Sequence, residues 1–293
     1  MLKPVSSRFH LSPSKSGVVH GIGSLMNLSG VPLRRGLQLW RRAFGQREAS
    51  SRTTAPKLAA LPEGVRIYTI GDIHGRVDLL DKLHARIDAH RAQRGVRNEI
   101  EVYLGDYIDR GHRSREVIDK IIARGRTNRV ITLSGNHEMM LLDVLDRPNH
   151  LNFWGRNGGL ETLMSYGTAV PTRADLANAP ALVAEFKKAL PPDHLRFFRA
   201  LTDTFACGDY LFVHAGLRPN IAISDQARQD LFWIREEFLS STDDFGLVVV
   251  HGHTPNESVD FRSNRINIDT GAYITGVLSC LVLEGQAAAV LTS

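Results

Sequence analysis

Long apolar runs are missing from this chain, and cysteine is scarce. No stretch of its 293 residues approaches the roughly 18 apolar residues that a membrane-crossing helix needs, and the longest, such as Leu247 to Val250, are strand-sized. That excludes a helical spanning protein. Cys207 and Cys280 are its two cysteines, too few for a disulfide framework, so both are expected as reduced thiols in apolar strands of a cytoplasmic protein. No apolar core of about 7 to 15 residues follows the first Lys and Arg, which argues against secretion. With 43% hydrophobic and 23% charged residues, the chain is neither wholly disordered nor collagen nor coiled coil, and its length suits no more than about two ordinary domains.

Acid is scarce at one end. Residues 1–62 hold ten Lys or Arg and one acid, Glu48, whereas the remainder holds 26 bases and 30 acids. The net charge of +5 therefore belongs to a leader, and the body is mildly acidic. Ser, Gly, Pro and Arg dominate residues 1–62 without a sustained period, which predicts a disordered basic leader followed by one domain over 63–293. Within the leader, Leu33 to Arg47 alternates Arg pairs with Leu, Trp and Phe, a composition suited to an anionic membrane surface or a partner; a solvated leader is the plainer reading. Met26 offers an alternative start that would leave residues 1–25 untranslated, and the Arg-rich beginning also has transit-peptide composition. Because the basic charge stops at the leader, no nucleic-acid partner is expected.

After Gly64, short β-branched runs alternate with amphipathic segments, the mark of an α/β layered domain. VRIYTI (65–70) runs into Gly71-Asp72-Ile73-His74-Gly75, and a helix with Leu79, Leu80, Leu83 and Ile87 on one face follows. EIEVYL (99–104) runs into Gly105-Asp106-Tyr107-Ile108-Asp109-Arg110-Gly111, and RVITLS (129–134) into Gly135-Asn136-His137-Glu138. Residues 151–204 read as a helical cap insertion. Strands then return, with YLFV before His214-Ala215-Gly216, LVVV before His251-Gly252-His253-Thr254-Pro255, RINI before Asp269-Thr270-Gly271-Ala272, and a final pair near 277–292. Two sets of strands predict two packed sheets with helices outside.

Each turn alone has an ordinary explanation, since Asp and Asn cap helices and Gly permits tight backbone. All five in order do not, because capping does not call for a histidine in four of them. Parallel strands bring their carboxyl ends to one edge, so these side chains should converge. A mixed carboxylate, amide and imidazole set suits two divalent metals sharing an Asp, and hence a two-metal hydrolase.

GDIHG, GDYIDRG, GNHE, HAG and HGHTP resemble the five motifs of the calcineurin-like metallophosphoesterase superfamily. The long GDYIDRG form with GNHE is similar to its phosphoprotein phosphatase branch of bacterial type. The resemblance implies a four-layer αββα metallophosphoesterase sandwich. It makes Asp72 and His74 ligands of the first metal, Asp106 the bridge, and Asn136, His214 and His253 ligands of the second. The metals would be Mn, with Fe, Zn or Mg as alternatives. His137, paired with Asp109, would protonate the leaving group, Arg110 would bind phosphate, and Arg235 in the segment LFWIR is the candidate second phosphate arginine. A metal-bridging hydroxide would attack phosphorus directly.

His251 lies two residues before His253 and, in a continuous strand, would share its face; His253 is favoured as the ligand because it holds the place of the His in GHTP, and His251 is expected behind the ligands. His112-Arg113-Ser114-Arg115 predicts a more cationic mouth. The implied activity is a serine/threonine protein phosphatase, and the alternative is a symmetrical bis(5'-nucleosyl)-tetraphosphatase, with Trp154, Arg156 and Tyr166 of the cap as candidate contacts to a base or phosphopeptide. The expected partner is thus a phosphoprotein or a nucleotide polyphosphate; a metal-bound scaffold without activity is disfavoured because no ligand, acid or phosphate arginine is missing.

Overall fold

The computed structural model describes residues 59–93, 95–96, 98–170 and 178–293. The aromatic and arginine segment at 33–47 and the alternative start at Met26 lie outside the described residues. Ala59 and Leu61 are buried, and the Ala60 and Leu61 amides donate to Asp209 Oδ2 (3.0 Å) and to the Gly285 carbonyl (2.9 Å). Packing therefore reaches back to Ala59.

Strands β1 (Val65–Ile70), β2 (Asn98–Tyr103) and β3 (Val130–Thr132) run parallel, with Ile70 opposite Tyr103 and Glu101 opposite Val130. The second sheet holds β4 (Thr204–Cys207), β5 (Tyr210–Val213), β6 (Val248–His251), β7 (Asp260–Phe261) and β8 (Arg265–Asn267) in the order β4-β5-β6-β8-β7, of which β5, β6 and β8 are parallel. Antiparallel β9 (Ser279–Glu284) and β10 (Ala287–Thr292) complete the first sheet in the order β10-β9-β1-β2-β3.

Alternate residues of each strand serve different layers, because successive side chains point to opposite faces. Ile67, Ile100, Val102, Leu281 and Leu283 meet Phe212, Val248, Val250 and Ile266 between the sheets. Tyr68, Ile70, Tyr103 and Val282 face outward and pack with α1 (Val77–Gln93), α2 (Ser114–Arg124) and α3 (Asn136–Asp146). On the far side Leu211, Val213 and Val249 lie with Leu231, Phe232 and Phe238. The result is the expected four-layer αββα sandwich.

The segment after α3 is helical as expected, with α4 (Leu151–Trp154), α5 (Leu160–Ser165), α6 (Ala179–Ala189) and α7 (Pro192–Ala200). Its inner residues Trp154, Leu163, Tyr166, Val183, Phe186 and Phe198 join the same apolar layer as α1 to α3. Trp154 and Tyr166 are thus core residues, while Arg156 is exposed. The short helices α8 (Arg228–Trp233), α9 (Glu236–Leu239) and α10 (Ala272–Thr275) border the strand ends. Among the described residues no helix is long and apolar enough to cross a membrane.

Candidate active site

The carboxyl ends of the parallel strands deliver the expected side chains to one place. Asp72 and His74 follow β1, Asp106, Asp109 and Arg110 follow β2, Asn136 and His137 open α3, and His214 and His253 follow β5 and β6. Apart from Arg110, all of these are at most 5% exposed. Six non-glycine residues among those described have positive φ, and five of them are here: His74 (47°), Asp106 (52°), Asp109 (72°), Arg110 (67°) and His253 (65°). Left-handed backbone is costly for such residues and gathers where geometry is dictated by function.

Asp106 stands at the centre. Its Oδ2 lies 3.5 Å from His74 Nε2 and 3.8 Å from His137 Nε2, and its Oδ1 lies 3.4 Å from His214 Nε2. His214 Nε2 is 2.9 Å from Asn136 Oδ1 and 3.2 Å from His253 Nδ1. Two groups able to hold a metal follow, His74-Asp106-His137 and Asp106-His214-His253, each with ligand atoms within 4.8 Å of one another. They share Asp106. The Nδ1 atoms of His74 and His214 donate to the carbonyls of Ile108 (2.8 Å) and Leu104 (2.9 Å), which leaves each Nε2 as an electron-pair donor facing inward.

Asp72 supplies the clearest sign that a cation fits. Its Oδ2 accepts the His253 amide at 3.1 Å, whereas its buried Oδ1 has no hydrogen-bond partner among the described residues. A buried anionic oxygen without a partner is costly unless a cation satisfies it. The first geometric group contains His137 where Asp72 was expected, but His137 Nδ1 is committed to Asp109 Oδ2 at 2.6 Å. The backbone leaves room for the carboxylates: a Cβ at Gly252 would fall 2.1 Å from Asp72 Oδ1, and one at Gly135 would fall 2.1 Å from Asp106 Oδ1.

The electrostatics are those of a concentrated charge site. Burial would push Asp106 up, but the imidazoles of His214, His137, His74 and His253 outweigh it and hold the carboxyl far below the usual range. Burial, Asp269 and Asp106 raise Asp72 well above it. Burial lowers His74, His214 and His253, favouring the neutral imidazole that a metal requires. His137 goes the other way: despite burial, Asp106 and Asp109 raise it toward the protonated form.

The two expected arginines lie one at each group. Arg110 Nη1 donates to His74 Nε2 at 3.1 Å and its guanidinium lies over the Tyr273 ring at 4.6 Å. Arg235 is exposed beside Glu236 and Glu237, yet its Nε donates to His253 Nε2 at 3.1 Å. His112, Arg113 and Arg115 are exposed, Arg113 Nε pairs with Glu116 at 3.0 Å, and buried Ser114 Oγ accepts the Asp109 amide at 3.1 Å. His251 does not share the face of His253. The strand ends at His251, Gly252 turns the chain, and His251 stays on the outer face with its ring edge to Phe238 at a 4.9 Å centroid distance. Burial there lowers it to about 3.

Several contributors were not assigned from sequence. Asp269, pushed up to about 6 by burial, adds a further buried carboxylate beside Asp72, Asp106 and Asp109; its place after a strand was the available signal. Glu138, raised by burial to about 8, accepts the amides of Asp106 (2.9 Å), Tyr107 (2.8 Å) and Gly135 (3.0 Å), locking the second motif to the third. Thr162 and Tyr273 had no local signal, and nothing local marked Trp154 as a partner of Asp109.

The family model for calcineurin-like phosphoesterase matches residues 65–276. Among curated proteins, an asymmetrical bis(5'-nucleosyl)-tetraphosphatase from Anoxybacillus flavithermus is 27% identical over 233 residues, covering 72% of this chain and 88% of that one. A solved structure provisionally assigned as a diadenosine tetraphosphatase superposes with a TM-score of 0.53 at 18% identity, covering 81% and 96% of the two chains. A cold-active protein tyrosine phosphatase superposes with a TM-score of 0.50 at 19% identity, covering 80% and 82%.

Proposed function

The chain belongs to the calcineurin-like phosphoesterase family, and from that premise we propose a hydrolase in which Asp72, His74, Asp106, Asn136, His214 and His253 hold two divalent cations, manganese first, with iron, zinc and magnesium as alternatives. Asp106 would serve both metals, because it stands between the two imidazole groups; that placement carries the reading. When bound, the cations would lower the pKa of water and offset negative charge on the phosphoryl group.

The protein's own groups do the rest. Arg110 and Arg235, one at each metal group, would take the non-bridging phosphoryl oxygens. Asp109 holds the Nδ1–H of His137 at 2.6 Å. That leaves the proton on Nε2 for the leaving oxygen, and the raised basicity of His137 favours keeping it there. A cytoplasmic setting accords with the free thiols of Cys207 and Cys280.

For substrate, the name carried by the curated relatives favours a dinucleoside tetraphosphate. The second reading, phosphoserine or phosphothreonine in a protein, is favoured by the long GDYIDRG form with GNHE. Manganese-loaded protein is given diadenosine tetraphosphate and a phosphothreonine peptide separately, with an EDTA-treated control. ATP with AMP marks asymmetrical cleavage, ADP alone marks symmetrical cleavage, and phosphate from the peptide alone supports the protein phosphatase. No product from either substrate would overturn the hydrolase.

A further inference from the structure

The turn carrying the proton-donor partner and a phosphate arginine is braced by a distant helical segment. Asp109 and Arg110 are consecutive left-handed residues, a conformation that does not hold itself. Residues 154–162 reach this turn at four points. Trp154 Nε1 donates to Asp109 Oδ2 (2.7 Å) and Thr162 Oγ1 donates to Asp109 Oδ1 (2.6 Å). The Asp109 amide donates back to Thr162 Oγ1 (2.9 Å), and the Arg110 amide donates to the Gly158 carbonyl (3.1 Å). Gly158 has φ 98°, and a Cβ there would fall 2.6 Å from the Arg110 nitrogen, so the approach depends on glycine.

We propose that Trp154 and Thr162 are positioning residues for proton delivery to the leaving group, acting through Asp109 on His137; the inference rests on His137 being the acid. A carboxylate rotates about a broad torsion. Here both oxygens are engaged from fixed directions, one by Thr162 and the other by Trp154 together with His137 Nδ1 at 2.6 Å. Asp109, Trp154 and Thr162 are each 0% exposed, so no solvent competes. Thr162 has a single hydroxyl proton; given to Oδ1, it leaves the oxygen to accept the Asp109 amide, which fixes the carboxylate and its backbone together. The imidazole is then held in one orientation with Nε2 toward Asp106. A displacement of about 1 Å at a reacting group costs on the order of 10²-fold in rate.

The test uses leaving groups of different basicity with the full manganese-loaded chain. Phenolate needs a proton to leave, whereas 2,4-dinitrophenolate does not. For Trp154→Phe and Thr162→Val, the ratio of kcat on phenyl phosphate to kcat on 2,4-dinitrophenyl phosphate should fall about 10-fold or more, as expected when a positioned acid is loosened. Thr162→Ser, which keeps the hydroxyl, should restore the ratio. A structural defect lowers both rates alike, so an unchanged ratio in both variants overturns the brace. His137→Asn is run alongside. If it shows the split and the brace variants do not, the positioning role alone falls; if it shows none, the assignment of the acid falls and the brace with it.

Discussion

Replacing Gly252 with Ala should remove one metal and spare the fold. Gly252 is not among the glycines with positive φ, so alanine meets no backbone objection. The obstacle is one side chain: the new Cβ would stand 2.1 Å from Asp72 Oδ1 and 3.2 Å from its Cγ, with Asp269 Cβ a comfortable 3.7 Å away. Tolerable contact requires that oxygen to retreat by about 1 Å. A metal–carboxylate bond of about 2.1 Å does not survive such a shift. The His253 amide, 3.1 Å from the other oxygen, loses its alignment as well. Metal affinity at the group containing His74 should therefore fall about 10²-fold, or about 3 kcal/mol. The group of Asn136, His214 and His253 should stay within a few-fold. Calorimetric titration of metal-free protein with manganese separates the two, and circular dichroism melts check the fold. Two manganese ions per chain at wild-type affinity would refute the placement of Asp72 as a ligand.

Asp106→Asn should abolish turnover and lower metal content in mass spectrometry, because it replaces the shared carboxylate with an amide whose nitrogen cannot accept; retained activity would refute the bridging role. His137→Asn should cut turnover by about 10²-fold while metal content stays unchanged, as for loss of a general acid. Burial lowers His84 from 6.5 to about 4, so the unfolded chain takes up a proton below pH 6.5 before the folded one does. The stability present above pH 6.5 is then lost as pH falls, by about 2 kcal/mol between pH 7 and 5. Denaturant melts of His84→Phe without metal should lose about 2 kcal/mol less than the wild type over that range, since the Tyr103 hydroxyl still donates to Glu101 at 2.8 Å. Removing residues 1–58 should leave both turnover on a small substrate and stability intact, whereas removing 1–62 takes Ala59 and Leu61 from the core and should cost about 3 kcal/mol in the same melts.

What sequence carried was local order. Strand, tight turn and helix recur, and the residues at each turn are chemical types that turns alone do not require, so the two-sheet fold and the convergence of these turns were legible, while the choice of Asp72, His74, Asp106, Asn136, His214 and His253 as ligands came from the resemblance to the metallophosphoesterase motifs. The misread face of His251 shows the limit. Alternation predicts a shared face only while a strand continues, and this one stops at His251 before a glycine turn. Trp154 and Thr162 were invisible as partners of Asp109 because 45 and 53 residues separate them from it and nothing in their own helices points there. Trp154, singled out from sequence as a candidate contact to a base or phosphopeptide, lies in the core instead. Asp269 had a signal, an acid ending a strand, but no motif to give it a role.

The left-handed residues at the centre set a limit on how this protein can be improved. His74, Asp106, Asp109, Arg110 and His253 each occupy backbone that glycine would occupy more comfortably, at about 1 kcal/mol or more apiece, less for the two aspartates. Substitution by glycine at any of the five would relax the chain while deleting a side chain that the chemistry uses. Selection for thermal endurance and selection for turnover therefore pull in opposite directions at His74, Arg110 and His253, whereas glycine at Asp109 would also strip Trp154, Thr162 and His137 of their buried acceptor. A library screened for melting temperature alone should drift toward glycine at those three positions and yield sturdier, inert proteins.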